Sequence, residues 1–151
     1  MKNVILLDLD GVLITTPPWR MDYIDEDGYS KFKSDAVNNL NILTQQVDAE
    51  LWLISGRRKK RSLEEFNIIF KNRSIIKDLS GMVPVYFEYI PRIEEFKSFI
   101  EDESIKNYLL IDDDGSLEGL DDKSFWVKTH PLIGFTEEKL FEAIEKIKHW
   151  K

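Results

Sequence analysis

Two aspartates one residue apart, Asp8 and Asp10, stand directly behind the apolar run Val4-Ile5-Leu6-Leu7 and ahead of Gly11. A run this apolar suits a central strand of a parallel sheet, covered on both faces. Carboxylates are seldom buried unless they are paired or bind a metal. At the carboxyl end of such a strand, where open α/β sheets bind their ligands, two of them ask for a chemical role. One can attack phosphorus as a nucleophile while the other handles the proton, with a divalent cation offsetting their repulsion. Aspartate beside glycine also caps loop amides in ordinary turns, so the pair alone leaves both readings open.

Three further groups occupy comparable settings. Leu51-Trp52-Leu53-Ile54 runs into Ser55-Gly56, Pro91-Arg92 opens a helical pattern, and Tyr108-Leu109-Leu110-Ile111 ends in Asp112-Asp113-Asp114. Gly56 would let backbone amides approach a phosphate closely, although Ser55 by itself also reads as a strand-end turn. Arg92 can grip an anion with two parallel hydrogen bonds. A cation is unfavourable at a helix amino terminus, and an anion there would account for it. Lys97, the competing cation, lies more than a turn further on and reads as solvated surface. Three adjacent aspartates without a cation would repel one another. Asp121 and Asp122 read as a solvated loop, and His130 and His149 lack metal-ligand spacing.

In their order along the chain, these groups resemble the four motifs of the haloacid dehalogenase (HAD) superfamily of phosphotransferases. Asp-Leu-Asp-Gly-Val-Leu is similar to the first, Ser55 to the second, Arg92 to the usual lysine of the third, and Asp112-Asp113 to the double-aspartate form of the fourth. The resemblance implies that Asp8 is the nucleophile of an aspartyl-phosphate mechanism and Asp10 the general acid, then base. It implies that Ser55, Gly56 and Arg92 bind the transferred phosphoryl group. It also implies Mg2+ held by the side chain of Asp8, the backbone carbonyl of Asp10 and the pair Asp112 and Asp113. Asp113 is then the direct or water-bridged ligand and Asp112 its support. Ser-Gly-Arg-Arg, Pro-Arg-x-x-Glu and Ile-Asp-Asp-Asp are most similar to the HAD domains of RNA repair proteins.

The intervening segments must position these residues. Residues 14–33, with Pro17-Pro18, Trp19, Tyr23, Gly28 and Tyr29, oppose regular structure and form a flap after the first strand. Its aromatics either cover a substrate or close the edge of the core. Ser34-Asp35 starts a helix striped by Ala36, Val37, Leu40 and Leu43. Ser62 with Glu65 is a capping box for a helix carrying Leu63, Phe66, Ile69 and Phe70. Residues 83–89 are expected as a third strand or extended segment. A helix over 92–102, a strand over 107–111 and a strand at 125–127 follow. The last helix starts at Thr136, striped by Leu140, Phe141, Ile144 and Ile147.

Strands alternating with helices predict one α/β domain over residues 1–151, a doubly wound parallel three-layer sandwich. The resemblance adds a Rossmann-like HAD strand order of 5-4-1-2-3. No cap domain fits; the resemblance implies that a capless member has an open site admitting large substrates or closes its site by association, and the substrate is expected to be a phosphorylated small molecule, a nucleotide or a nucleic-acid end. Arg57, Arg58 and Trp19 are the candidate substrate contacts. The run Arg57-Arg58-Lys59-Lys60-Arg61 either recruits a polyanion or forms a solvated basic turn.

The chain of 151 residues is 42% hydrophobic and 32% charged, enough for one core. With no cysteine there is no disulfide, thiolate site or thiol nucleophile. The net charge of −7 argues against a generally basic nucleic-acid binder. The amino-terminal apolar run is too short to span a membrane, and a cytoplasmic location is expected. The leading expectation is a magnesium-dependent phosphomonoesterase. The alternatives are a catalytically silent HAD-like binding module and a phospho-acceptor receiver, whose acidic pair and acceptor would follow different strands.

Overall fold

The computed structural model describes residues 1–86, 90–102 and 104–150. Five strands, β1 (Lys2–Leu7), β2 (Glu50–Leu53), β3 (Leu79–Met82), β4 (Ile105–Asp112) and β5 (Trp126–Lys128), form one sheet in the order β3-β2-β1-β4-β5. Every pairing is parallel. Read from the other edge this is the expected 5-4-1-2-3 order, with β1 at the centre. The helices are α1 (Ser34–Gln46), α2 (Leu63–Asn72), α3 (Arg92–Ile100) and α4 (Glu137–Ile147).

Alternation along the central strands divides the core in two. Ile5, Leu7, Leu51, Leu53, Leu109 and Ile111 share one cluster with α1 (Leu40, Leu43), α2 (Phe66, Phe70) and α4 (Leu140, Ala143). Val4, Leu6 and Leu110 face the other way, onto Phe96 and Phe99 of α3 and onto Leu117 and Trp126. Both clusters are apolar because β1 and β4 are covered on both sides, which is why their sequences lack a polar alternation. Two of the four helices, α2 and α4, start on side-chain caps. Ser62 and Glu65 exchange the two hydrogen bonds of a capping box, and the Thr136 hydroxyl accepts from the Lys139 amide.

Two expectations need correction, and one open reading divides. The third strand precedes residues 83–89: Leu79–Met82 pairs with β2, Val83 adds one hydrogen bond to the Leu53 carbonyl, and Pro84 then has no N–H to donate. Residues 87–89 lie outside the described part of the chain. Phe141 is 60% exposed, because the buried side of α4 is Leu140, Ala143 and Ile147. The flap's aromatics separate: Tyr29 is buried edge-to-face on Phe66, whereas Trp19 and Tyr23 are exposed. No helix among the described residues is long and apolar enough to cross a membrane.

Candidate active site

The register of the sheet assembles the site. Leu7 sits opposite Leu53 on one side and Ile111 on the other, so the residues just beyond them emerge together. The ladder continues past the strand ends: the Asp8 amide donates to the Ile111 carbonyl and the Ile54 amide to that of Leu7. Asp8, Ser55 and Asp112 are consequently placed by backbone pairing, and all three are buried.

Asp8, Asp112 and Asp113 each offer a carboxylate oxygen, and these oxygens lie within 4.8 Å of one another. Asp8 Oδ1 also accepts from the Leu9 amide at 2.8 Å. Burial, reinforced by the neighbouring Asp112 charge, holds the Asp8 carboxyl well above the usual carboxylate range, with Arg92 opposing. Burial raises Asp112 as well, again against Arg92, and burial and Asp112 raise Asp113. The crowding comes from hard oxygen ligands in the small set that magnesium takes, so the residues fit a divalent cation that would relieve their repulsion.

The triple aspartate divides its labour. Asp112, fully buried, accepts from Arg92 and from the Asp114 amide. Asp113 is half-buried and joins the carboxylate cluster. Asp114 caps the short 3₁₀ helix Gly115–Gly119 through the Ser116 amide. Asp113 also explains Gly11, whose φ is +79° and where an added Cβ would stand 2.1 Å from Asp113 Oδ2. Thr129 secures the same turn by donating from Oγ1 to the Gly11 carbonyl at 2.7 Å. At Gly134 (φ +81°) a Cβ would strike the Val12 carbonyl, so the loop after β5 presses directly on the first motif.

Arg92 opens α3 and reaches Asp112, with Asp8 Oδ2 at 3.5 Å and Glu95 at 3.4 Å. The anions that make a cation tolerable at this helix terminus are therefore the protein's own carboxylates. Lys97 is exposed on the same helix. Ser55 Oγ accepts from the Arg57 amide at 3.2 Å and so caps the short 3₁₀ helix Gly56–Lys59, while Gly56 is exposed. The accepting hydroxyl keeps its proton to donate.

The structure does not bring the Asp10 side chain into the carboxylate cluster. It is half-exposed and bound through both oxygens to Arg57, at 2.9 Å each. Only its backbone carbonyl is left as a candidate metal ligand.

The reading of Arg58 as a substrate contact does not hold. Its guanidinium is buried, donating to the carbonyls of Val83, Ile54 and Ser55 and to the Glu95 carboxylate. Arg57 is matched by Asp10 and Asp22, and Arg61 leans on Glu65 and the Tyr29 ring. Three of the five cations are thus engaged by groups of the protein, Arg58 alone of the five is buried, and Lys59 and Lys60 are exposed. Trp19 is 75% exposed on the flap. Sequence reasoning missed Glu95, although it lies in Pro-Arg-x-x-Glu at the spacing that places it against Arg92. It also missed Thr129, which no local pattern marks. His130 spends Nδ1 on the Leu132 amide and stands apart from the site.

A family model described as the HAD domain in Swiss Army Knife RNA repair proteins matches residues 4–140, from β1 into α4. A search of curated proteins finds no match to the chain.

Proposed function

The chain belongs to the HAD domains of Swiss Army Knife RNA repair proteins, and on that premise we propose that it is a magnesium-dependent phosphomonoesterase working through Asp8. The observation that carries this reading is the cluster of buried Asp8 and Asp112 with half-buried Asp113, beside Arg92 at the carboxyl edge of the sheet. Asp8 attacks phosphorus while the bond to the leaving oxygen breaks and Asp10 protonates that oxygen. An aspartyl phosphate on Asp8 results. Asp10, now a carboxylate, takes a proton from water as the water oxygen attacks phosphorus, releasing phosphate and restoring Asp8.

Ser55, the Gly56 amide and Arg92 bind the phosphoryl oxygens and hold phosphorus against Asp8. Magnesium, when bound, is held by Asp8, the Asp10 carbonyl and Asp113 with Asp112 in support, and supplies charge neutralisation at the phosphoryl group. The open edge and the exposed Trp19 fit a phosphorylated nucleotide or nucleic-acid end better than a small substrate needing enclosure. The test is turnover of phosphomonoesters by wild type and Asp8→Asn, with Mg2+ and with excess chelator. Asp8→Asn keeps size and removes the attacking charge, so it should cost about 10³-fold or more, as losing a nucleophile does elsewhere. Full activity in the variant or in chelator overturns the reading.

A further inference from the structure

Arg57 stands where the flap meets the turn carrying Asp10. Its Nε donates to Asp10 Oδ2 and its Nη2 to Asp10 Oδ1, both at 2.9 Å. Nη2 also donates to Asp22 at 2.7 Å, and Nη1 donates to Ser30 Oγ at 3.1 Å and the Tyr29 hydroxyl at 3.4 Å. Ser30 in turn donates to Asp22 at 2.5 Å, and the Tyr29 ring lies 5.6 Å below the guanidinium. Three flap residues thus build a socket, and the socketed cation grips one carboxylate of the first motif.

We propose that Arg57 is a positioning residue: seated in the flap by Asp22, Tyr29 and Ser30, it holds the Asp10 carboxylate in place for proton transfer. This rests on the phosphatase reading above. A general acid must stay within hydrogen-bond reach of the oxygen it serves. The Asp10 side chain is 57% exposed, so burial does little to fix its rotamer. A planar guanidinium bonded to both oxygens does fix it. When one Asp10 oxygen carries the proton for the leaving group, the other still accepts from Arg57, and the two-bonded grip is restored once Asp10 is a carboxylate and acts as base.

Substrate binding is the weaker assignment for this residue. Its positive charge already lies between Asp10 and Asp22, and each of its three nitrogens has a protein acceptor. An incoming phosphate would have to displace one of them. The flap is accordingly part of the proton-transfer apparatus rather than only a cover over the cleft.

The discriminating readout is leaving-group dependence. An alkyl phosphate needs its leaving oxygen protonated, whereas p-nitrophenyl phosphate departs as a stable anion. Arg57→Lys keeps the charge and loses the fork. It should lower kcat/KM on glycerol phosphate by about 10²-fold, the lower range for general acid catalysis, and on p-nitrophenyl phosphate by less than about tenfold. Asp22→Asn, which loosens the socket without touching Asp10, should show the same asymmetry at smaller size. Equal losses on the two esters overturn the proposal and make Arg57 a phosphate contact or a plain structural tie.

Amide hydrogen exchange gives an arm independent of turnover. Both variants should accelerate exchange across residues 22–30 and leave β1 and β4 unchanged; unaltered flap exchange also overturns the proposal. A wild type inactive on both esters overturns the phosphatase reading instead, and the exchange arm then still decides whether Arg57 holds the flap.

Discussion

The carboxyl edge of the sheet and the flap beside it hold their charges in opposite ways. At the edge, Asp8, Asp112 and Asp113 crowd together, Arg92 pairs with the first two, and burial pushes all three carboxyls upward. In the flap, acidic residues are matched by arginines. Asp22 binds Arg57, while Asp25 and Asp27 bind Arg73, which also donates to the Tyr29 and Ser30 carbonyls. Arg73's hydrogen bonds hold the Asp27 carboxyl well below its ordinary range. Repelling groups can be kept together on β1 and β4 because the strand ladder fixes their backbones. An irregular segment has no ladder, so its conformation rests on complementary pairs. Charge that is unresolved on a rigid frame marks chemistry; charge that is resolved on a loop marks architecture.

The sharpest way to break this contrast is to disturb a matched charge that sits on the rigid side. Arg58 is buried against Glu95, and Arg58→Ala leaves that carboxylate with Arg92 alone. Removing one partner of a buried ion pair costs about 3–5 kcal/mol. Urea denaturation should show a loss of that order. A loss within 1 kcal/mol would mean that Arg92 neutralises Glu95 unaided. Next comes an unresolved charge: Arg92→Ala should lower kcat/KM about 10²–10³-fold, as removal of one preorganised charge-stabilising contact does. Lys97→Ala should stay near wild type. The reverse ranking would move the phosphate-binding role to Lys97.

The same contrast explains what could be read from sequence. Val4–Leu7 ending in Asp8 is legible because a doubly covered strand is apolar throughout and a carboxylate breaks it. Asp112 is legible for the same reason, whereas Ser55 and Arg92 stand out only through their place in the order of the four motifs, Ser55 alone reading equally as a strand-end turn. The capping box of Ser62 and Glu65 is a local exchange three residues apart. Arg58 and Glu95 are 37 residues apart, and Arg57 and Asp10 are 47 apart. No local periodicity reports such pairs, so a buried structural arginine and a positioning arginine read together as a basic run. Phe141 was misleading because it neighbours Leu140, yet one helical step turns it about 100° away from the core. The third strand is short, carries Ser80 and Gly81, and lies before the more β-like Val83, whose single bond to the Leu53 carbonyl is followed by Pro84, which has no N–H to donate.

A metal test sharpens the comparison at intermediate size. If the edge carboxylates are held in repulsion, Mg2+ should stabilise the wild type. At a hundredfold excess over Kd the gain is about 2.7 kcal/mol, roughly 5–10 °C in Tm for a chain of this length. Asp113→Asn removes one of the crowded charges, so its Tm without metal should rise while most of the Mg2+ shift disappears. A metal-free Tm below wild type, with the shift intact, would show that Asp113 is a structural acceptor and not a ligand.

The smallest effect belongs to the charges that neither region absorbs. Lys59 and Lys60 are exposed at the end of the 3₁₀ helix that begins beside Ser55. A nucleic-acid end longer than one nucleotide would pass charges near them, whereas a small phosphomonoester would not. Each phosphate contact contributes about 0.7 to the slope of log affinity against log salt for a single strand. Neutralising both lysines to glutamine should thus flatten the salt dependence of kcat/KM on a phosphorylated oligonucleotide by at most about 1.4. The dependence on p-nitrophenyl phosphate should not change, and neither should Tm, since surface substitutions of this kind stay within about 0.5 kcal/mol. An equal change on both substrates would place the lysines in the phosphoryl site itself. No change on either would confine polyanion contacts to other parts of the edge, with the flap's exposed Trp19 as the next position to vary.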